Sequence, residues 1–227
     1  MSQLEEIESM ELTRNHNRLV SVALFTFATL VFCFPANAQR YAFTNSSKPS
    51  PAATSSSAAT TPVVRNDAAA EAAFKRAWTV FDSPRCRNCH PAGDAPLQGD
   101  DSHVHMQDVK RGDDGHGVYG MKCNTCHQLA NLSGEDMPPG NPKWSLPPAN
   151  MKMVIVGKTA GEFCRQLKDP AQNGGRTLAQ IITHVSDDDL VGWGWNPGDG
   201  RSLPPLSRQD FAAAVREWVN DGAACPQ

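Results

Sequence analysis

The sequence predicts an all-α, loop-rich domain in which short helices are joined by long connections. Three observations predict it. Apolar residues recur at helical spacing in several short stretches, each opened by a residue that can cap a helix. No stretch alternates apolar and polar residues as a half-buried strand does. The connections, notably 91–121 and 134–158, are rich in Gly, Pro and Asp, and loops of that length are unusual in a compact domain unless something other than side chains fills the interior. Of the 227 residues, 40% are hydrophobic and 20% charged, enough apolar material for a core. A formal charge of −3 leaves no basic footprint, so nucleic acid is not an expected partner.

The elements follow in order. Residues 19–34 form an uncharged apolar run of 16 residues, preceded by Arg14 and Arg18 and followed by Ala36-Asn37-Ala38. A membrane span needs about 20 apolar residues, and small residues at Ala36 and Ala38 suit signal cleavage. Residues 1–38 are therefore read as an export signal, with an uncleaved anchor as the alternative. Glu5, Glu6, Glu8 and Glu11 sit awkwardly in such a signal, and Met10 is an alternative start that would remove three of the four. Residues 39–66, dominated by Ser, Ala, Thr and Pro, read as a flexible tether that buries too little surface to order itself. Residues 67–227 are the folded domain, with no later segment apolar enough to span a bilayer.

Within that domain, Asn66 or Asp67 caps a helix to about Phe81, with Phe74, Trp78 and Phe81 on one face and Pro84 as its stop. Thr159 with Glu162 makes a capping box for a helix to about Lys168, halted by Asp169-Pro170. Thr177 opens a helix carrying Leu178, Ile181 and Val185. Ser207 with Asp210 opens the last helix, whose apolar face is Phe211, Val215 and Trp218 and which Gly222 ends.

Chemistry enters through cysteine. Cys86-Arg87-Asn88-Cys89-His90 and Cys123-Asn124-Thr125-Cys126-His127 are both Cys-x-x-Cys-His, the attachment signature of c-type haem. Two thiols one helical turn apart can bond the two vinyl groups of one porphyrin, and the next residue, His90 or His127, then meets the iron from the proximal side. A zinc ribbon separates its cysteine pairs by about 15–20 residues; here 33 residues lie between Cys89 and Cys123. The ribbon also gives no reason for a histidine after each pair. Two covalently bound haems are expected, close together, because only 37 positions separate the two histidines and no complete cytochrome domain fits between them. Short helices packed around two haems would explain the long loops.

The sixth position of each iron has several candidates: His103, His105, His116, His184, Met106, Met121, Met137, Met151 and Met153. His105, in an Asp- and Gly-rich loop, and His184, on a helix beside Ile181 and Val185, are the first choices. Met151, after a Pro-containing loop, is the alternative. Arg111, Arg176 and Arg201 lie in Gly-rich stretches where a planar guanidinium suits the haem propionates or simply solvent. Trp193-Gly194-Trp195 either walls a haem edge or packs in the core. Cys33 leaves with the signal, so Cys164 and Cys225 remain as an even pair in an exported chain. A disulfide between them is expected, with iron ligation by either thiolate as the alternative.

The run from Cys86 to Cys225 resembles a group of exported di-haem c-type cytochromes, often labelled as a subunit of isoquinoline 1-oxidoreductase. The residues behind the resemblance are Pro96-Leu97-Gln98-Gly99-Asp100, His105, Arg111-Gly112, Gly120-Met121-Lys122-Cys123, Asn173-Gly174-Gly175-Arg176, His184, Trp193-Gly194-Trp195 and Gly222-Ala223-Ala224-Cys225-Pro226. It covers about 140 residues and implies periplasmic electron transfer with a protein partner, a molybdenum hydroxylase or a membrane respiratory complex. It also implies recurrent roles for His105, Met151 and His184. No molybdopterin-binding feature occurs in the chain. The expected function is electron carriage without substrate turnover. The alternative is a peroxidase-like di-haem enzyme with one open iron, for which Glu135 and Asp136 are the acid–base candidates.

Overall fold

A computed structural model describes residues 65–227. The export signal, Cys33, the cleavage point after Ala38 and the tether to residue 64 lie outside the described residues. Six helical segments are present among the described residues: α1 (Asp67–Phe81), α2 (Pro84–Arg87), α3 (Ala160–Lys168), α4 (Leu178–Asp187), α5 (Asp189–Gly192) and α6 (Arg208–Asn220). Single 3₁₀ turns follow at Cys123–Thr125 and Trp193–Trp195. No described helix is long and apolar enough to cross a membrane.

The caps explain the boundaries. Asn66 accepts from the Ala69 N–H to open α1. Thr159 and Glu162 form the reciprocal capping box of α3, and Thr177 does the same for α4 with Gln180, a partner not read from the sequence. Ser207 caps α6. Pro84 ends α1 and itself occupies the first turn of α2, where its missing N–H costs nothing.

The Glu162 carboxylate accepts from the Thr159 N–H and Oγ1, which holds it below its usual range. A depressed carboxyl contributes stability above its unfolded-state value and loses it as pH falls through the folded one. Thr159→Ala is expected to cost about 1 kcal/mol in chemical denaturation at neutral pH, with the gap from wild type narrowing below the carboxylate range. A gap of the same size at acid pH would contradict the reciprocal box.

α1 packs against α6, α6 against α4, and α3 closes one side. Their shared core is aromatic. Phe81 meets Phe163 and Phe211 edge-on at 4.9 Å between ring centres, and Phe74 meets Trp218 at 5.0 Å. The small residues Ala70, Ala73 and Ala77 let α1 approach, and Ile155, Ile181, Val185 and Val215 fill the remaining space. Four helices pack on one another through side chains; Cys86 of the first cysteine motif packs against this core, and Cys126 of the second is exposed.

The loops are also more structured than an all-α reading allows. Leu97–Gln98 (β1) pairs antiparallel with His103–Val104 (β2), and Gly117–Val118 (β3) with Met121–Lys122 (β4). Gly120 supplies the positive φ, 82°, that turns β3 into β4. Gly115 has a positive φ of 83° and lies so near Leu146 that a Cβ would meet its carbonyl oxygen at 2.0 Å. The Leu146 N–H donates to the Gly115 carbonyl at 2.9 Å, so this contact ties the 91–121 segment to the 134–158 segment.

Cys164 and Cys225 form the expected disulfide, closing a sequence separation of 61 residues. Around it Trp218 donates its indole N–H to the Ala224 carbonyl at 3.0 Å, and Lys168 reaches the Ala223 carbonyl at 2.7 Å. The chain-entropy model gives a loop of this length about 4 kcal/mol. The Cys164→Ala/Cys225→Ala variant is expected to lose roughly that amount in a denaturant titration. A loss below about 1 kcal/mol would mean the C-terminal packing alone holds the end in place.

Candidate metal centres

Each Cys-x-x-Cys-His segment folds as a tight helical turn. In the first, Cys86 and Arg87 end α2, the Asn88 N–H donates to the Pro84 carbonyl at 3.1 Å, and the His90 N–H to that of Arg87 at 3.1 Å. In the second, the Cys126 and His127 N–H groups both donate to the Cys123 carbonyl, at 3.3 and 2.9 Å. All four thiols are free.

The histidines that close the two motifs are held alike. His90 Nδ1 lies 2.8 Å from the Met153 carbonyl, and His127 Nδ1 lies 2.7 Å from the Pro139 carbonyl. A carbonyl only accepts, so Nδ1 carries the proton and Nε2 keeps its lone pair for a metal. Burial pulls the His90 imidazole down to about 4, against the Met153 bond, and lowers His127 too. Both are neutral at pH 7, as an iron ligand must be. Burial pushes the Cys86 thiol up to about 12 and the Cys89 thiol up to about 11, and Cys123 adds to the rise at Cys89. The two motifs are thus neighbours within one domain.

His105 stands opposite His127, with ring centres 6.2 Å apart and planes at 66°. Two imidazoles sharing one iron, with about 2 Å from metal to nitrogen and roughly 1 Å more to each ring centre, lie about 6 Å apart. His105 Nδ1 is buried and has no hydrogen-bond partner, and burial lowers its basicity. Trp144 stacks on His127, 4.4 Å away and 13° from parallel, and meets Trp193 edge-on at 4.8 Å. Trp195 instead packs on Phe211 and donates to the Leu206 carbonyl, so the two tryptophans of that segment divide between site and core.

His184 is half-buried on α4, with Nδ1 3.5 Å from Asp188. Burial lowers it in spite of Asp188, and its charge in turn disfavours protonation of His90, which places the two in one electrostatic neighbourhood. Met151 is half-buried beside Gly174, and its neighbour Met153 supplies the carbonyl that holds His90. His103 is taken up by Asp101, at 2.6 Å. Glu135 and Asp136 are exposed on a loop beside Gly200.

The arginines differ from one another. Arg111 is 1% exposed, and its two terminal nitrogens donate to the Pro147 carbonyl at 2.6 Å and the Gly93 carbonyl at 3.1 Å. Its Nε makes no hydrogen bond but lies 3.8 Å from the Asp94 carboxylate. Arg176 is exposed and reaches the Asn173 carbonyl, whereas Arg201 is half-buried and donates to the Met137 carbonyl at 2.9 Å. Arg85, which sequence reasoning missed, is a fourth. It is buried next to Cys86 and pairs with Asp100 at 2.5 Å, and Asp100 also accepts from the Ser202 N–H. Its position directly before the first cysteine was the only signal.

Among the described residues, no three His, Cys, Asp or Glu side chains converge on one point. The residues present are of the kind that c-type haem would use: paired free thiols on single turns, imidazoles with Nε2 left for a metal, and near one of them an imidazole with an unpartnered buried nitrogen. No family model, curated protein or solved structure matches the chain.

Proposed function

We propose that the chain is an exported di-haem c-type cytochrome that carries electrons in the periplasm. Cys86 and Cys89 would hold one haem and Cys123 and Cys126 the other, with His90 and His127 as proximal ligands. Haem iron supplies a reversible one-electron change between ferric and ferrous states. The chain's own residues orient the imidazoles through the Met153 and Pro139 carbonyls, press Trp144 on His127 and offer a second imidazole to each metal. His105 serves the second haem and His184 the first, and Met151 is the alternative for the first.

What supports electron carriage most is the 6.2 Å separation of His105 from His127. A metal with imidazole on both sides has no open position, which favours electron transfer over ligand chemistry. The Cys164–Cys225 disulfide is consistent with an oxidising compartment. The electron partner is a protein, a molybdenum hydroxylase or a membrane respiratory complex. Spectropotentiometry with electron paramagnetic resonance of the exported protein tests the assignment. Two low-spin ferric signals, each reduced reversibly by one electron, are expected. A resting high-spin ferric iron that binds cyanide or turns over peroxide would overturn it.

A further inference from the structure

The two cysteine turns have opposite surroundings. Cys86 packs against the helical core, Arg85 beside it is buried, and the backbone carbonyl of His90 accepts from the Ile155 N–H at 3.0 Å. The second turn lies at the surface. Cys126 is exposed, and among the described residues eight of the nine large apolar side chains that face solvent belong to residues 104–137, the stretch that contains this turn. Val104 and Met106 flank His105, Tyr119 sits at the tip of the β3–β4 hairpin that leads into Cys123, and Leu129 follows His127. Tyr119 is fully exposed and Met106 is 75% exposed. His105 lies near His127, with ring centres 6.2 Å apart, which brings Val104 and Met106 to the neighbourhood of the second turn, the second-turn end.

Charge singles out the same end. Residues 100–137 carry seven carboxylates and three cations, a net charge of −4, while the other described residues carry 13 carboxylates and 14 cations, a net of +1. The two lysines of the acidic segment are spent locally, Lys110 on Asp108 and Lys122 near Asp114, and Arg111 is buried. Asp113, Glu135 and Asp136 are exposed and form no ion pair among the described residues.

We propose that this end is the docking face for the redox partner, and that the partner presents a basic rim around an apolar centre. The inference rests on the di-haem assignment and adds to it which haem exchanges electrons outward: the second, with the first as the interior site. Aromatic and methionine side chains at the centre with charges at the rim is the usual anatomy of a protein interface. An acidic rim speeds encounter with a cationic partner and does so less as salt rises.

The test uses the reduced holoprotein and two small oxidants followed by stopped-flow absorbance: tris(phenanthroline)cobalt(III), cationic with apolar faces, and hexacyanoferrate(III), anionic. The cobalt complex is expected to oxidise the protein faster at low salt and to slow as salt increases. Asp113→Asn/Asp136→Asn is expected to slow it about threefold at low salt. The control pair Glu71→Gln/Asp187→Asn, which removes two carboxylates from helices of the core, is expected to leave the rate near wild type. Tyr119→Ser is expected to slow the cobalt reaction at every salt concentration without changing either reduction potential. Equal losses from both charge pairs, or a rate indifferent to Tyr119 and to salt, would overturn the docking face while the haem spectrum stands. A protein with no haem absorption would overturn the di-haem assignment and the docking face together.

Discussion

Cys86→Ala/Cys89→Ala and Cys123→Ala/Cys126→Ala should each leave one covalent haem, yet they should differ sharply in what happens to the fold. The first pair adjoins the aromatic core, and its turn is tied to Ile155 through the His90 carbonyl and to Met153 through the His90 ring. On the proposed assignment, a haem held at that turn would cover part of this core, and its loss would expose it. Helical circular dichroism should fall and the thermal midpoint should drop by several degrees, since 1 kcal/mol moves a domain of this size by about 3 °C. The second pair sits in exposed backbone, away from α1, α3, α4 and α6. Its loss should leave helical content and midpoint near wild type. Equal destabilisation by both pairs would contradict the division into an interior and a surface site.

The second large effect concerns His105. His105→Ala removes the imidazole across from His127 and should convert one of the two irons to a high-spin ferric form that binds cyanide. The other iron should stay low-spin. His184→Ala should do the same at the first site, with Met151→Ala as the comparison. A His105→Ala protein with both signals unchanged would show that another side chain fills the position. His103 is a poor substitute, because its Nδ1 is engaged by Asp101.

Much of this was legible in the sequence because it is written in local signals. Capping residues and apolar spacing gave α1, α3, α4 and α6 nearly to the residue, and cysteine parity gave the Cys164–Cys225 bond. The two hairpins were not legible. A two-residue ladder such as Gly117–Val118 against Met121–Lys122 is too short to show alternation, and its signal is only a glycine at the turn. Equally hidden were groups that act through backbone: the Pro139 and Met153 carbonyls behind the imidazoles, and the carbonyls that occupy Arg111. Any residue type can supply a carbonyl, so sequence carries no mark of it. Trp144 was hidden for another reason. It reaches His127 across 17 positions of irregular chain, where no periodicity relates the two.

Most direct of all is the intact mass of protein recovered from an exporting host, measured together with its pyridine haemochrome spectrum. A processed polypeptide heavier by two haems, with a spectrum giving two thioether-linked haems per chain, is the expected result. A colourless protein at the bare polypeptide mass, or one that carries zinc on its cysteines, would contradict it.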